Sequence, residues 1–182
     1  MGQDKALVTF NNQPMIRQVL SRFTSLAVET FFTTNHPENF EFLGLRLVAD
    51  IIPGRGAIGG LYTALSFANT PLVGVIACDM PFANPDILDF ECKLVKGEGF
   101  DAAIPITGSG KEPFHAVYNK DICLPAIEES LFEGFLRVDS WFHKVRVRYI
   151  REEEIALLDP DGLAFWNVNT PEDLKLAHSL IE

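Results

Sequence analysis

PLVGVIACDMPF (Pro71–Phe82) opens on an apolar run that does not alternate with polar residues. A strand with one wet face alternates, whereas a strand covered on both faces reads as continuous apolar sequence. The stretch therefore predicts a buried strand that ends in a carboxylate, Asp79, followed by the turn Met80-Pro81-Phe82. Its flanks support this reading. GAIGGLYTALSFA (56–68) before it reads as a helix despite its glycines, and PDILDFECKLV (85–95) after it reads as another. Further upstream, VETFFTTN (28–35) and LRLVAD (45–50) read as short strands, and PMIRQVLSRF (14–23) carries Met15, Ile16, Val19, Leu20 and Phe23 at helical spacing. Downstream, DAAIPI (101–106), FHAVYN (114–119) and KVRVRYI (144–150) read as strands. The arginines Arg146 and Arg148 of the last fit a solvated strand face. NTPEDLKLAHSLI (169–181) reads as a closing helix, with Thr170 as cap and Pro171 at its first position. Strands separated by helices predict an α/β domain with a mostly parallel sheet.

The composition limits what such a domain does. The 182 residues fit one domain, 1–182, with 47% apolar and 22% charged residues. The net charge of -10 argues against general binding of nucleic acid, which needs a basic footprint. No apolar run is long enough to span a bilayer, and no basic-then-apolar leader opens the chain. Cys78, Cys92 and Cys123 are widely spaced, with no CxxC pair. Buried thiols in a reducing cytoplasm are the expectation.

Ligands of α/β sheets sit beyond the carboxyl ends of the strands, so polar residues there are the candidates. Asp79 is the strongest: a hard oxygen ligand at the sheet rim suits Mg²⁺ beside phosphates, and the competing reading is a turn cap. Asp50 either accepts hydrogen bonds from a base or sugar, or serves as a turn residue before IIPGRG. Asn35 both donates and accepts, which suits a base edge, although on its own residues a turn amide beside His36-Pro37 is favoured. PGRGAIGG (53–60) reads as a tight loop entering a helix, where free N–H groups attract anions and Arg55 adds a charge. Glycines for packing helix on sheet explain it equally well. His115 lies inside a strand with no partner in view for a nucleophilic triad, and fits a satisfied structural histidine. At the start, MGQDKALVTF sets Gly2 near Lys5, as in loops that follow a strand and close around phosphate. No strand precedes it here.

Taken together, MGQDKAL, the D-IIPGRGAIGGL stretch, ACDMPF, EPFHAVY and FWNVNTPEDL occur in an order that resembles the molybdenum cofactor guanylyltransferases. The likeness runs nearly end to end. It implies a Rossmann-like nucleotidyltransferase fold with helices on both faces of the sheet. It also implies transfer of GMP from GTP to the terminal phosphate of molybdopterin, with Mg²⁺ required. By position, it makes Lys5 the phosphate-contacting lysine, Asn35 and Asp50 nucleotide-binding residues and Asp79 the magnesium ligand. Asn167 and Asn169 fall on an N-x-N motif near the site. GTP and molybdopterin are the implied partners, along with transient contact with molybdoenzymes or other cofactor-synthesis proteins, and with neither nucleic acid nor membrane. Two departures stand out. The family pattern has a strand and glycine-rich loop ahead of Asp4-Lys5, so the expectation is a domain shortened by an interior strand. Ala57 also stands where proline is frequent. Related alternatives are an enzyme using CTP or another phosphorylated acceptor, and a non-catalytic molybdopterin carrier.

Overall fold

Both faces of the central sheet are covered, and the alternation of its strands shows how. The computed structural model describes residues 4–181. Strand β5 (Leu72–Ile76) pairs antiparallel with β8 (His115–Asn119), which pairs antiparallel with β6 (Ala102–Thr107), which pairs parallel with β9 (Val147–Ile150). A short strand, β7 (Gly110–Lys111), folds back on the end of β6. From β6 and β8, Ala102, Ile104, Ala116 and Tyr118 pack against Ile58, Leu61 and Leu65 of helix α2 (Gly56–Phe67) and Cys123 and Ile127 of α4 (Lys120–Phe132). Their neighbours Ala103 and Val117 face the other way, onto Ile87, Leu94 and Val95 of α3 (Pro85–Glu98). Buried on both sides, β6 and β8 are mostly apolar without alternation, whereas β5, paired on one side only among the described residues, is partly buried, with Gly74 exposed.

A second, two-stranded parallel sheet joins β3 (Phe31–Thr33) to β4 (Arg46–Val48). No strand links the two sheets among the described residues, and α2 packs against both β3 and β5. The other strands and α-helices are the small hairpin β1 (Thr9–Phe10) with β2 (Gln13–Pro14), and α1 (Met15–Phe23), α5 (Glu152–Ile155) and α6 (Pro171–Ser179). Met1–Gln3 of the opening stretch, with Gly2, lie outside the described residues.

The α/β class and the helices on both faces are as expected. The sheet is mixed rather than mostly parallel, because β8 runs against both of its neighbours. An apolar run reports burial on two faces and says nothing of strand direction. Helix α4 was not foreseen, since Pro125 in its interior removes a hydrogen-bond donor. It forms because Asn119 caps it, accepting from the Asp121 N–H at 3.2 Å, and because it buries Cys123, Ala126, Ile127 and Leu131.

Candidate active site

Parallel register builds the first polar cluster. Thr33 of β3 lies opposite Val48 of β4, so Asn35 and Asp50 each follow their strand by the same two residues. They meet side by side. Asn35 Nδ2 donates to Asp50 Oδ2 at 2.9 Å, and the Asp50 N–H donates to Asn35 Oδ1 at 3.0 Å. The Thr34 N–H, donating to the Val48 carbonyl at 2.8 Å, extends the ladder up to them. The loop after Asp50 is tied to α2, because the Ile51 N–H donates to Oγ1 of buried Thr63 at 3.0 Å, which itself donates to the Gly59 carbonyl at 2.9 Å. Gly54 (φ 77°) and Gly56 (φ 55°) take left-handed backbone there, which most side chains disfavour.

Tertiary contacts build the second cluster at the end of β5. Pairing continues one residue past the strand, where the Ala77 N–H donates to the Phe114 carbonyl at 2.7 Å. Asp79 follows, with its side chain 17% exposed and its Oδ2 3.4 Å from Lys5 Nζ. Lys5 Nζ also donates to Asn169 Oδ1. The Val168 N–H donates to the Asp79 carbonyl at 2.9 Å, which fastens the Asn167–Asn169 stretch beside it. Lys5 itself is set by a tight turn in which Asp4 Oδ1 accepts from the Ala6 N–H at 3.1 Å.

The structure thus brings together Lys5, Asp79 and Asn169, and separately Asn35 with Asp50. Asn167 donates to the Phe165 carbonyl of its own loop at 3.1 Å. Arg55 precedes α2, half-buried; its carbonyl accepts from the Gly59 N–H at 3.4 Å, and its side chain makes no hydrogen bond or ion pair among the described residues. No group of three or more His, Cys, Asp and Glu side chains able to hold a metal ion occurs among the described residues. A magnesium ion asks for less: one or two carboxylates, with waters and substrate phosphates completing its shell. Asp79 fits that demand, since its lone ion pair is long and leaves Oδ1 without a protein partner among the described residues.

Near this cluster the thiol of Cys78 is pushed up to about 12 by burial, reinforced by Asp79 and Asp4, so it stays protonated. The three cysteines are free, Cys123 buried and Cys78 and Cys92 half-buried.

His115 does have a partner, which the sequence reading missed. Its Nδ1 lies 3.3 Å from Glu91 Oε1, and both side chains are fully buried. Among the described residues no nucleophile joins them, so no triad forms there and His115 reads as a structural histidine. The available signal was Glu91 itself, a lone acid in phase with Ile87, Leu94 and Val95 on the buried face of α3. Burial pushes the Glu91 carboxyl up to about 7, against the pull of His115.

Comparison with known proteins shows the family. The sequence pattern of the MobA-like NTP transferase domain matches residues 1–145. A protein from Pelotomaculum thermopropionicum, named "Probable molybdenum cofactor guanylyltransferase", is 39% identical over 182 residues, covering 100% of this chain and 87% of its own. A molybdenum cofactor guanylyltransferase from Desulfosudis oleivorans is 30% identical, covering 100% of this chain and 89% of its own. The crystal structure of molybdopterin-guanine dinucleotide biosynthesis protein A from Archaeoglobus fulgidus superposes with a TM-score of 0.84 at 27% identity, covering 99% of this chain and 91% of that one. With polar clusters at the carboxyl ends of its strands and a family match over most of its length, the chain belongs to the MobA-like NTP transferase family and is a nucleotidyltransferase.

Proposed function

We propose that this chain transfers GMP from GTP to the terminal phosphate of molybdopterin. The relatives named as molybdenum cofactor guanylyltransferases support this reading. The observation that carries it is the Lys5–Asp79–Asn169 cluster at the end of β5, with the Asn35–Asp50 pair at the ends of β3 and β4. In open α/β sheets a nucleotide lies across such strand ends.

In the proposed reaction an oxygen of the molybdopterin phosphate forms a bond to the α-phosphorus of GTP, the bond from that phosphorus to the bridging oxygen breaks, and pyrophosphate leaves. The attacking group is already an anion, so no strong base is needed, consistent with a cluster that holds no histidine. The work is positioning and charge neutralisation. Magnesium held by Asp79 would neutralise phosphate charge and polarise the phosphoryl oxygens. Lys5 supplies a positive point charge to the phosphates, and Asn169 holds its ammonium in place. Asp50, a pure acceptor, takes N–H donors of the guanine edge, and Asn35 orients it. Arg55 and Asn167 flank the site as further contacts to substrate. Its free thiols suit the cytoplasm.

The test is pyrophosphate release from GTP, CTP and ATP with molybdopterin and Mg²⁺. GTP should turn over at least about tenfold faster than either competitor, a difference of about 1.4 kcal/mol. Preference for CTP, or molybdopterin binding without turnover of any nucleotide, would overturn the reading.

A further inference from the structure

The segment Asp79–Asn84 connects β5 to α3 and carries the carboxylate on which the proposed transfer depends. Its near end is held by the Val168 N–H on the Asp79 carbonyl at 2.9 Å. Between the ends, Met80, Phe82 and Ala83 are buried. At the far end the Asn84 N–H donates to His115 Nε2 at 3.2 Å, while the Asn84 side chain caps α3 and donates to the Leu158 carbonyl.

That hydrogen bond fixes the chemistry of the imidazole. A ring nitrogen that accepts carries no proton, so the proton of neutral His115 sits on Nδ1. There it faces Glu91 Oε1 at 3.3 Å, which must accept it. Phe23 of α1 and Phe165 pack against the ring, with centroids 6.3 Å and 5.1 Å away. The arrangement is costly. Glu91 Oε2 is buried with no hydrogen-bond partner, and an apolar residue of similar volume would pack there without that penalty. A buried polar group left half-satisfied calls for a reason beyond stability.

We infer that Glu91 and His115 are positioning residues for the transfer site: Glu91 fixes the Nδ1–H tautomer, and His115 thereby presents the lone pair that holds Asn84 and the far end of the Asp79 segment. The inference rests on the proposed transfer reaction only for its kinetic consequence. The structural relay stands separately.

Nitrogen NMR of the imidazole and amide hydrogen exchange test the relay, and kinetics test its purpose. In wild type, Nδ1 should be protonated and Nε2 bare. Glu91→Met removes the acceptor; it should speed exchange of the Asn84 amide at least about tenfold and lower kcat about tenfold, with KM for GTP little changed. Glu91→Gln keeps an acceptor for Nδ1–H and should rescue both readouts. So should His115→Gln, whose side chain can accept from Asn84 and donate to Glu91; His115→Phe, which offers Asn84 no lone pair, should show the same losses as Glu91→Met and serves in its place if that variant does not fold. A protonated Nε2 would overturn the inference, as would unchanged Asn84 exchange in Glu91→Met or equal losses in the conservative variants. If wild type transfers no nucleotide at all, the functional reading fails, while the tautomer and the Asn84 exchange still decide the relay.

Discussion

Asn35 and Asp50 are 15 residues apart and meet through the register of one parallel strand pair. Lys5 meets Asp79 across 74 residues and Asn169 across 164. The first cluster is made by secondary structure, the second by the fold as a whole. Their chemistry differs in the same way. The Asn35–Asp50 pair joins an amide to a carboxylate by two directed hydrogen bonds, an arrangement suited to reading the pattern of donors on a base. The Lys5–Asp79 pair is a long ion pair between partly exposed charges, with the lysine side chain 40% exposed. Such pairs add little to stability, and in the proposed reaction the pair presents its charge to a ligand. The proposed function places recognition on the local cluster and charge handling on the long-range one.

The largest effect should come from breaking the charge cluster. Asp79→Ala should lower magnesium-dependent transfer about a hundredfold, or roughly 3 kcal/mol, because one well-placed group at developing charge is worth that much. Its thermal midpoint should stay near that of wild type, since the side chain is at the rim and its ion pair with Lys5 is long. Loss of cooperative melting in the variant would make Asp79 a structural residue instead.

Glu91 supplies the contrast of a carboxylate sealed away from substrate. Its folded-state value is raised from 4.5 to about 7, chiefly by burial. A raised carboxyl binds its proton more tightly in the folded state. Its cost to stability therefore sets in as pH rises above 4.5 and is complete above about 7. Glu91→Gln, which never ionises, should gain on wild type between pH 5 and pH 8, by on the order of 2 kcal/mol. Chemical denaturation across that range measures it, and a constant difference between the two proteins would show that Glu91 does not titrate there.

Breaking the recognition cluster should change selectivity. Asp50→Ala should reduce the preference for GTP over CTP by roughly 1–3 kcal/mol, the cost of leaving a donor unpaired. Titration of both nucleotides checks it, and an unchanged ratio would remove Asp50 from base reading. Smallest is the support behind this cluster. Thr63→Val deletes the acceptor of the Ile51 N–H and should cost about 1 kcal/mol of stability. Denaturant melts would show it, and a neutral result would mean that the loop after Asp50 is held by other contacts.

The same division decided what could be read from the sequence. Asp79, Asp50 and Asn35 were legible because each ends an apolar strand, and the end of a strand is a position along the chain. That Asn35 and Asp50 bond to each other depends on Thr33 lying opposite Val48, which neither strand reveals alone. Lys5 was suggested by the Gly-plus-Lys opening and, like Asn169, given its role through resemblance, since no local pattern joins residues so far apart. Glu91 hid inside a helix whose other buried positions are apolar, and its partner lies on β8. The antiparallel direction of β8 was hidden for the related reason that burial on both faces looks alike in either direction.

The division of labour is tested most directly by one set of kinetics: kcat and KM for GTP and CTP, at fixed Mg²⁺, in wild type, Asp79→Ala and Asp50→Ala. Asp79→Ala should lose about a hundredfold in turnover with both nucleotides while keeping their ratio. Asp50→Ala should move the ratio toward one while keeping turnover of GTP within about tenfold of wild type. If Asp50→Ala instead abolishes turnover with the ratio intact, or Asp79→Ala changes the ratio and spares the rate, the two clusters do not divide the work in this way.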